Sequence, residues 1–237
     1  MKNNVVIILA RSGSKGIPKK NLMKFCGKPL IVWSIQQAKD AKGVSSIWLS
    51  SDDEKILSIG KQYGINVIKR PKSLCRDSSS GDDGYLHAIK KIEKNKEKID
   101  LVIGLQATSP IRESLDIEKA IKKFHRFKYD SLISVSPIGD FYIWEKNKRG
   151  VWNSVNYNYK NRPRRQNFSP QFEENGSFYF FKPEILRKYK NRIGGNIGVY
   201  EMDFWKLFEI DEYNDIFLCE VIMKNYLLKK NRKEITK

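Results

Sequence analysis

The sequence predicts an α/β protein built on a doubly wound sheet, and three observations carry that prediction. Short strand-like runs, Val5–Leu9, Ser46–Ser51, Ile65–Ile68 and Leu101–Leu105, alternate with segments of helical periodicity. That alternation is the pattern of parallel strands joined by crossover helices. The first run, Val5–Leu9, is β-branched, short and uninterrupted, as a strand covered on both faces is. It then breaks into a loop bearing Gly13 and Gly16, where an open α/β sheet binds its ligands, beyond the carboxyl ends of its strands.

A chain of 237 residues fits a single domain, 1–237, with a substantial core. Hydrophobic content of 40% and aromatic content of 12% exclude a disordered chain. No apolar run approaches the roughly 20 residues that span a bilayer. The N-terminus enters a strand directly, without a signal-peptide pattern. The expectation is a soluble, cytoplasmic protein with no membrane partner. Cys26, Cys75 and Cys219 are odd in number and lack metal-ligand spacing, so neither a disulfide framework nor a zinc site is expected. With His87 and His125 the only histidines, a Ser-His-Asp apparatus is not expected either. The net charge of +18 raises the possibility of nucleic-acid binding. Lysines, however, are spread over nearly every segment, and no RNP, helix-turn-helix or zinc-finger pattern appears. No nucleic-acid partner is expected, and a basic nucleic-acid-binding module stands as the non-enzyme alternative.

The loop after the first strand interleaves Arg11, Lys15, Lys19 and Lys20 with its glycines. Glycine lets backbone N–H groups point inward and approach closely, and fixed cations neutralise charge, so the loop suits a polyphosphate. It is neither a Walker loop nor a G-x-G-x-x-G turn, and a solvated basic loop is the alternative. Met23–Pro29 reads as a short strand and turn, with Pro29 opening a helix over 30–39. Strand 46–51 leads through Asp52 and Asp53 into a helix that Gly64 ends, and 65–68 is the third strand. The polar stretch 70–83 precedes a helix over 85–94, and Ser79, Ser80 and Asp82 are candidate caps for it. Strand 101–105 ends in Gln106–Arg112, polar residues at a carboxyl strand end. A helix over 114–127 and a strand over 132–136 follow.

Residues 138–175 break the pattern. Tyr142, Trp144, Trp152, Tyr157 and Tyr159 sit among turn residues with poor periodicity, followed by Arg162-Pro-Arg-Arg165. A monomer rarely leaves so many large aromatics uncovered, so a partner surface is expected. The arginines read either as a solvated cluster or as forks for a carboxylate, which guanidinium pairs bidentately. A strand over 196–202 follows. In the extended segment 208–211, alternation puts Glu209 and Asp211 on one face. Two adjacent carboxylates repel unless a cation lies between them, and Mg²⁺ held by one or two carboxylates plus phosphate oxygens is the usual solution. Otherwise they form the acidic start of a last helix over 215–228.

Ala10-Arg-Ser-Gly-Ser-Lys-Gly-Ile-Pro-Lys-Lys-Asn21 resembles the N-terminal signature A-R-x-x-S-K-G-[IL]-P-x-K-N of the acylneuraminate cytidylyltransferases, the CMP-sialic acid synthetases, with every fixed position filled. Four further motifs agree in the same order. Arg70–Ser80 is similar to R-P-x-x-L-x-x-D-x-[AS]-S, and Leu105–Arg112 to L-Q-[PA]-T-S-P-x-R. Pro163–Gln166 with Glu174–Phe180 resembles the animal-type members, and the segment ending at Asp211 resembles [ST]-[IV]-D-[IV]-D. The resemblance implies a three-layer, mainly parallel sheet of the sugar-nucleotidyltransferase (Rossmann-like) type, with 138–175 as an inserted dimerisation arm and a homodimer as the assembly. It implies transfer of CMP from CTP to a nonulosonic acid, with 3-deoxy-manno-octulosonate, legionaminate and pseudaminate as alternative acceptors. The high positive charge would assist capture of both anionic substrates.

By the same resemblance Arg11, Lys15, Lys20 and Asp211 are the catalytic set. Arg11, Ser12, Gly13, Lys15, Asn21, Arg70 and Ser80 bind nucleotide. Gln106, Arg164 and Arg165 bind the sugar. Asp211 and Glu209 hold Mg²⁺, the glutamate directly or through water. Three departures stand out. Gly81 replaces a serine that contacts cytosine in some relatives, Glu173 an arginine of some bacterial relatives, and Glu209 the first aspartate of its motif.

Overall fold

The computed structural model describes residues 2–94, 98–139, 141–167 and 169–229, without the side chain of Arg165. In chain order the strands are β1 (Asn4–Leu9), a small hairpin β2 (Lys24–Phe25) and β3 (Lys28–Pro29), β4 (Ser46–Ser51), β5 (Asn66–Lys69), β6 (Leu101–Leu105), β7 (Ser131–Gly139), a second hairpin β8 (Trp144–Lys146) and β9 (Trp152–Ser154), β10 (Gln171–Phe181) and β11 (Ile197–Glu201). The helices are α1 (Leu30–Asp40), α2 (Glu54–Gln62), α3 (Gly81–Glu93), α4 (Ser114–Arg126), α5 (Pro183–Tyr189) and α6 (Tyr213–Ile222), the last continued by a π-helical turn, Met223–Leu227.

Seven strands form the central sheet in the order β11-β7-β10-β6-β1-β4-β5. The pairs β1/β4, β1/β6, β4/β5 and β7/β11 are parallel, and only β10 runs against its neighbours, β6 and β7. Successive residues of β1 point to opposite sides, Val6 and Ile8 into one core and Val5 and Ile7 into another. The first core is closed by α1 and α4 through Val32, Ile35, Ile121 and Phe124, the second by α3 and α5 through Ile89, Ile92 and Leu186. The three layers follow from that two-sided burial, worth about 1.5–3 kcal/mol for each fully buried large apolar side chain.

The expected strands and helices lie near the observed ones, although α3 starts four residues ahead of the expected 85 under its Ser80 cap and neither the β8–β9 hairpin nor α5 was expected; two further differences are instructive. Residues 171–175, read as the end of the arm, belong to β10, which enters the middle of the sheet. Phe178, Phe180 and Phe181 are buried there, while a register shift between Glu174 and Tyr179 coincides with Gly176 at φ +63°. Polar Glu173–Ser177 hide this strand from a pattern search, and pairing with both neighbours creates it. Secondly, α6 starts two residues earlier than expected, because Asp215 accepts from the N–H groups of Asp211 and Glu212 and caps the helix.

A third apolar cluster joins Ile17 of the first loop to Ile210, Cys219 and Met223, so that loop and α6 meet beside α1. The β8–β9 hairpin stands outside the main sheet with Trp144 and Trp152 exposed. The arm's rings pack mainly on one another: Tyr142 lies 4.3 Å from Tyr157, and Arg162 sits 4.2 Å over Tyr142. Among the described residues no helix is long and apolar enough to cross a membrane.

Candidate active site

A cleft of ≈ 580 Å³ opens beyond the carboxyl ends of β1, β5 and β6. From β1 the chain adds β4 and β5 on one side and returns to place β6 on the other, so β1 and β6 flank the switch point where loops diverge and leave a crevice.

The loop after β1 forms one wall. Ser12 donates its backbone N–H and its hydroxyl to Asp52, at 2.9 and 2.7 Å. Burial pushes the Asp52 pKa up, but these hydrogen bonds outweigh it and hold the carboxyl below its ordinary value. Asn21 donates to the carbonyl of Arg11 at 3.1 Å, closing the loop on itself. Gly13 is exposed with open space around its α-carbon, leaving the backbone accessible. Gly16 is required for the opposite reason: a β-carbon there would fall 2.2 Å from the carbonyl oxygen of Asp211. Arg11 and Lys15 both reach Asp77, at 2.9 and 3.5 Å. Lys20 is buried and donates to the Ile210 carbonyl at 2.7 Å and to Asp211 at 2.8 Å.

Asp211 is exposed to the cleft, while Glu209 is half-buried and accepts from Thr108 and Ser109, each at 3.3 Å. Burial first, and then the negative charge of Asp211, raise the Glu209 pKa against the opposing hydrogen bonds and Lys20. The two carboxylates therefore feel one another. Among the described residues no group of three or more His, Cys, Asp or Glu side chains forms a protein-only metal cage. Of the two, Asp211 lines the cleft and Glu209 does not; Asp211 with Glu209 beside it suits a cation such as Mg²⁺, which takes one or two carboxylates and fills its shell with phosphate and water. Gln106 lines the cleft nearby, its amide 3.4 Å from the β-carbon position of Gly176.

The other wall is the start of α3. Ser80 caps that helix, accepting from the N–H groups of Asp82 and Asp83 at 2.9 and 3.3 Å. The cap role expected for serine here is thus filled by Ser80, which also lines the cleft. Arg70 is buried beside it, with Nε 3.0 Å from the Cys75 sulfur. Arg164 is exposed on the arm and is not among the residues lining the cleft; the side chain of Arg165 lies outside the described residues. Tyr85, Asp77 and Arg192 line the cleft without having been assigned a role from sequence. Asp77 sits within the motif of residues 70–80, whereas no local pattern singles out Arg192.

A model of the cytidylyltransferase family matches residues 5–233. N-acylneuraminate cytidylyltransferase A of Danio rerio is 37% identical over 83% of this chain and 45% of that protein. The N-acylneuraminate cytidylyltransferase of Oncorhynchus mykiss is 34% identical over 83% of this chain and 44% of its own length. The chain thus spans about half the length of these relatives. It spans 96% of a pseudaminic acid cytidylyltransferase of Campylobacter jejuni, at 33% identity over 93% of this chain. Among solved structures, a CMP:2-keto-3-deoxy-manno-octonic acid synthetase complexed with CTP superposes with a TM-score of 0.70 at 19% identity, covering 94% of this chain and 99% of that one. A 4-diphosphocytidyl-2C-methyl-D-erythritol synthase from Anaerococcus prevotii gives 0.65 at 13% identity, with coverage of 94% and 99%. The solved structures share the fold, and the family match takes in every element from β1 to α6: the chain belongs to the cytidylyltransferase family.

Proposed function

We propose that the protein joins CTP to the anomeric hydroxyl of a nonulosonic acid, yielding the CMP-sugar and pyrophosphate. The observation that carries this reading is the convergence of Arg11, Lys15 and Lys20 with Asp211 in one cleft at the switch point of the sheet. The sugar oxygen attacks the α-phosphorus, the bond to the pyrophosphate bridging oxygen breaks, and the hydroxyl proton is released to solvent. Negative charge grows on the α-phosphate and on the departing pyrophosphate. Arg11 and Lys15 neutralise the phosphates from the loop, and buried Lys20 adds a cation in a desolvated place where it acts strongly. Ser12, Gly13 and Asn21 keep the loop backbone open to the phosphates. Asp211 and Glu209 would hold Mg²⁺, which when bound supplies Lewis-acid polarisation of the phosphate and lowers the pKa of the attacking hydroxyl.

Arg70 and Ser80 bind the nucleoside end. The Ser80 oxygen accepts from the helix, and its own hydrogen remains available to donate. Gln106 faces the sugar. The segment between β7 and β10, an arm on a single catalytic domain, makes a homodimer contact and carries Arg164 and Arg165 to the partner's sugar carboxylate. The exposed arm aromatics and the position of Arg164 away from the cleft of its own chain support that arrangement. CTP as co-substrate points to the cytoplasm as the working compartment.

N-acylneuraminate is the first candidate acceptor, on 37% identity to the Danio rerio protein. Pseudaminate is a second, favoured by the match over 96% of the Campylobacter jejuni protein's length. Pyrophosphate release measured with CTP against N-acetylneuraminate, pseudaminate, legionaminate and 3-deoxy-manno-octulosonate decides among them. Turnover with one of these acids, abolished by chelator, is expected. Lack of turnover with all four, together with a salt-sensitive mobility shift on RNA or DNA, would return the protein to the nucleic-acid-binding alternative.

A further inference from the structure

The first turn of α3 contains two glycines, Gly81 and Gly84, each costing about 1 kcal/mol relative to alanine in a helix interior. Both have a guanidinium against them. A β-carbon at Gly84 would lie 2.9 Å from Nη1 of Arg70, and one at Gly81 would lie 3.2 Å from Nη1 of Arg192. Arg192 comes from the loop between α5 and β11, and it lines the same cleft as Arg70 and Ser80. It is held on three sides. Its guanidinium lies 4.4 Å from the ring centre of Tyr179 and 5.6 Å from that of Tyr85, and Nη1 is 3.2 Å from Asp82. A planar fork stacked and tethered in this way presents its remaining N–H groups in a fixed direction.

We propose that Arg192 reads the nucleobase and sets the preference for cytosine over uracil. This rests on the reading of the cleft as a CTP site, with the nucleoside end at the start of α3. Guanidinium carries only donors. Cytosine offers two adjacent acceptors, O2 and N3, which an arginine fork matches. Uracil carries a hydrogen on N3, so the same fork meets a donor and discriminates against it by an unpaired, opposed contact. The glycine at position 81 removes the side chain that would otherwise crowd the fork. Arg192 is then a specificity residue, separate from the cations that act on the phosphates.

Isothermal titration of the full chain with CTP and with UTP tests this, on wild type, Arg192→Gln and Arg192→Lys. The lysine variant keeps the charge beside Asp82 and loses the fork, which guards against a folding defect in the glutamine variant; thermal melts report on both. The expected result is a loss of CTP affinity of about tenfold or more, with UTP affinity within about threefold of wild type, so that the CTP:UTP ratio collapses. A purely structural role would weaken both nucleotides together. Folded variants that keep the wild-type ratio overturn the assignment of Arg192. A wild-type protein that binds UTP as tightly as CTP overturns the CTP reading itself.

Discussion

Asp77 holds Arg11 and Lys15 with the kind of charge that a phosphate would bring. Binding of a triphosphate must break those pairs, so Asp77→Asn should tighten CTP binding. Exposed ion pairs are worth about 0–1 kcal/mol, so the gain should be no more than about fivefold, read by titration. Arg11→Ala should instead lower kcat by about 10²–10³, the scale of one lost charge-stabilising donor, with an unchanged melting curve. Glu209 gives a test of opposite sign for stability and activity. Its folded pKa is raised, by burial and then by Asp211, so the folded state disfavours the ionised form. Stability from this group is complete below the ordinary glutamate pKa and is lost as pH rises through the folded value. Glu209→Gln should therefore raise Tm at neutral pH, gain little in acid, and lose metal-dependent turnover. At this scale the glycine-bearing cationic loop after β1 was legible because glycine and cation lie together in sequence. Arg192 was not, since Tyr179, Tyr85 and Asp82 give it meaning only after folding.

Among elements, the expected ones that match were those with local patterns: β1 as an apolar run, and α2 with Asp53 accepting from two N–H groups at its start. β10 was illegible because its first half is polar and its place in the sheet depends on two neighbours distant in sequence. Buried Asn175, which donates to Ser136 across that sheet at 2.9 Å, looks like a loop residue until its partner is known. Buried polar ties also fasten α4. Lys206 is only 3% exposed and pairs with Glu113 at 2.9 Å and Asp116 at 2.8 Å. Burial would lower its pKa, but the two acids outweigh that and raise it. Lys206→Met leaves the acids at the α4 N-terminus without their cation. It should cost about 3–5 kcal/mol, or roughly 10 °C or more in Tm by calorimetry.

For the whole molecule, the proposed sharing of the site across a dimer would make activity a property of two chains. Arg165→Ala should raise the sugar KM and leave CTP binding nearly unchanged. Mixing it with Lys15→Ala should restore part of the activity, since one site of the mixed dimer carries neither change. Absence of rescue, despite subunit exchange seen by native mass spectrometry, would assign each site to one chain. The backbone contact at Gly16 has a further consequence, for the time course of folding. The loop after β1 precedes by nearly two hundred residues the carbonyl against it, which belongs to Asp211. Contacts that distant in sequence are slow to form, and on the ribosome the later segment does not yet exist when β1 emerges. A nascent or truncated chain that stops before Asp211 lacks Asp211 and Glu212, two of the residues that line the cleft. On the proposed reading of the cleft, nucleotide capture would wait for the segment around Asp211, and a bound nucleotide would report that this segment has closed against the loop after β1.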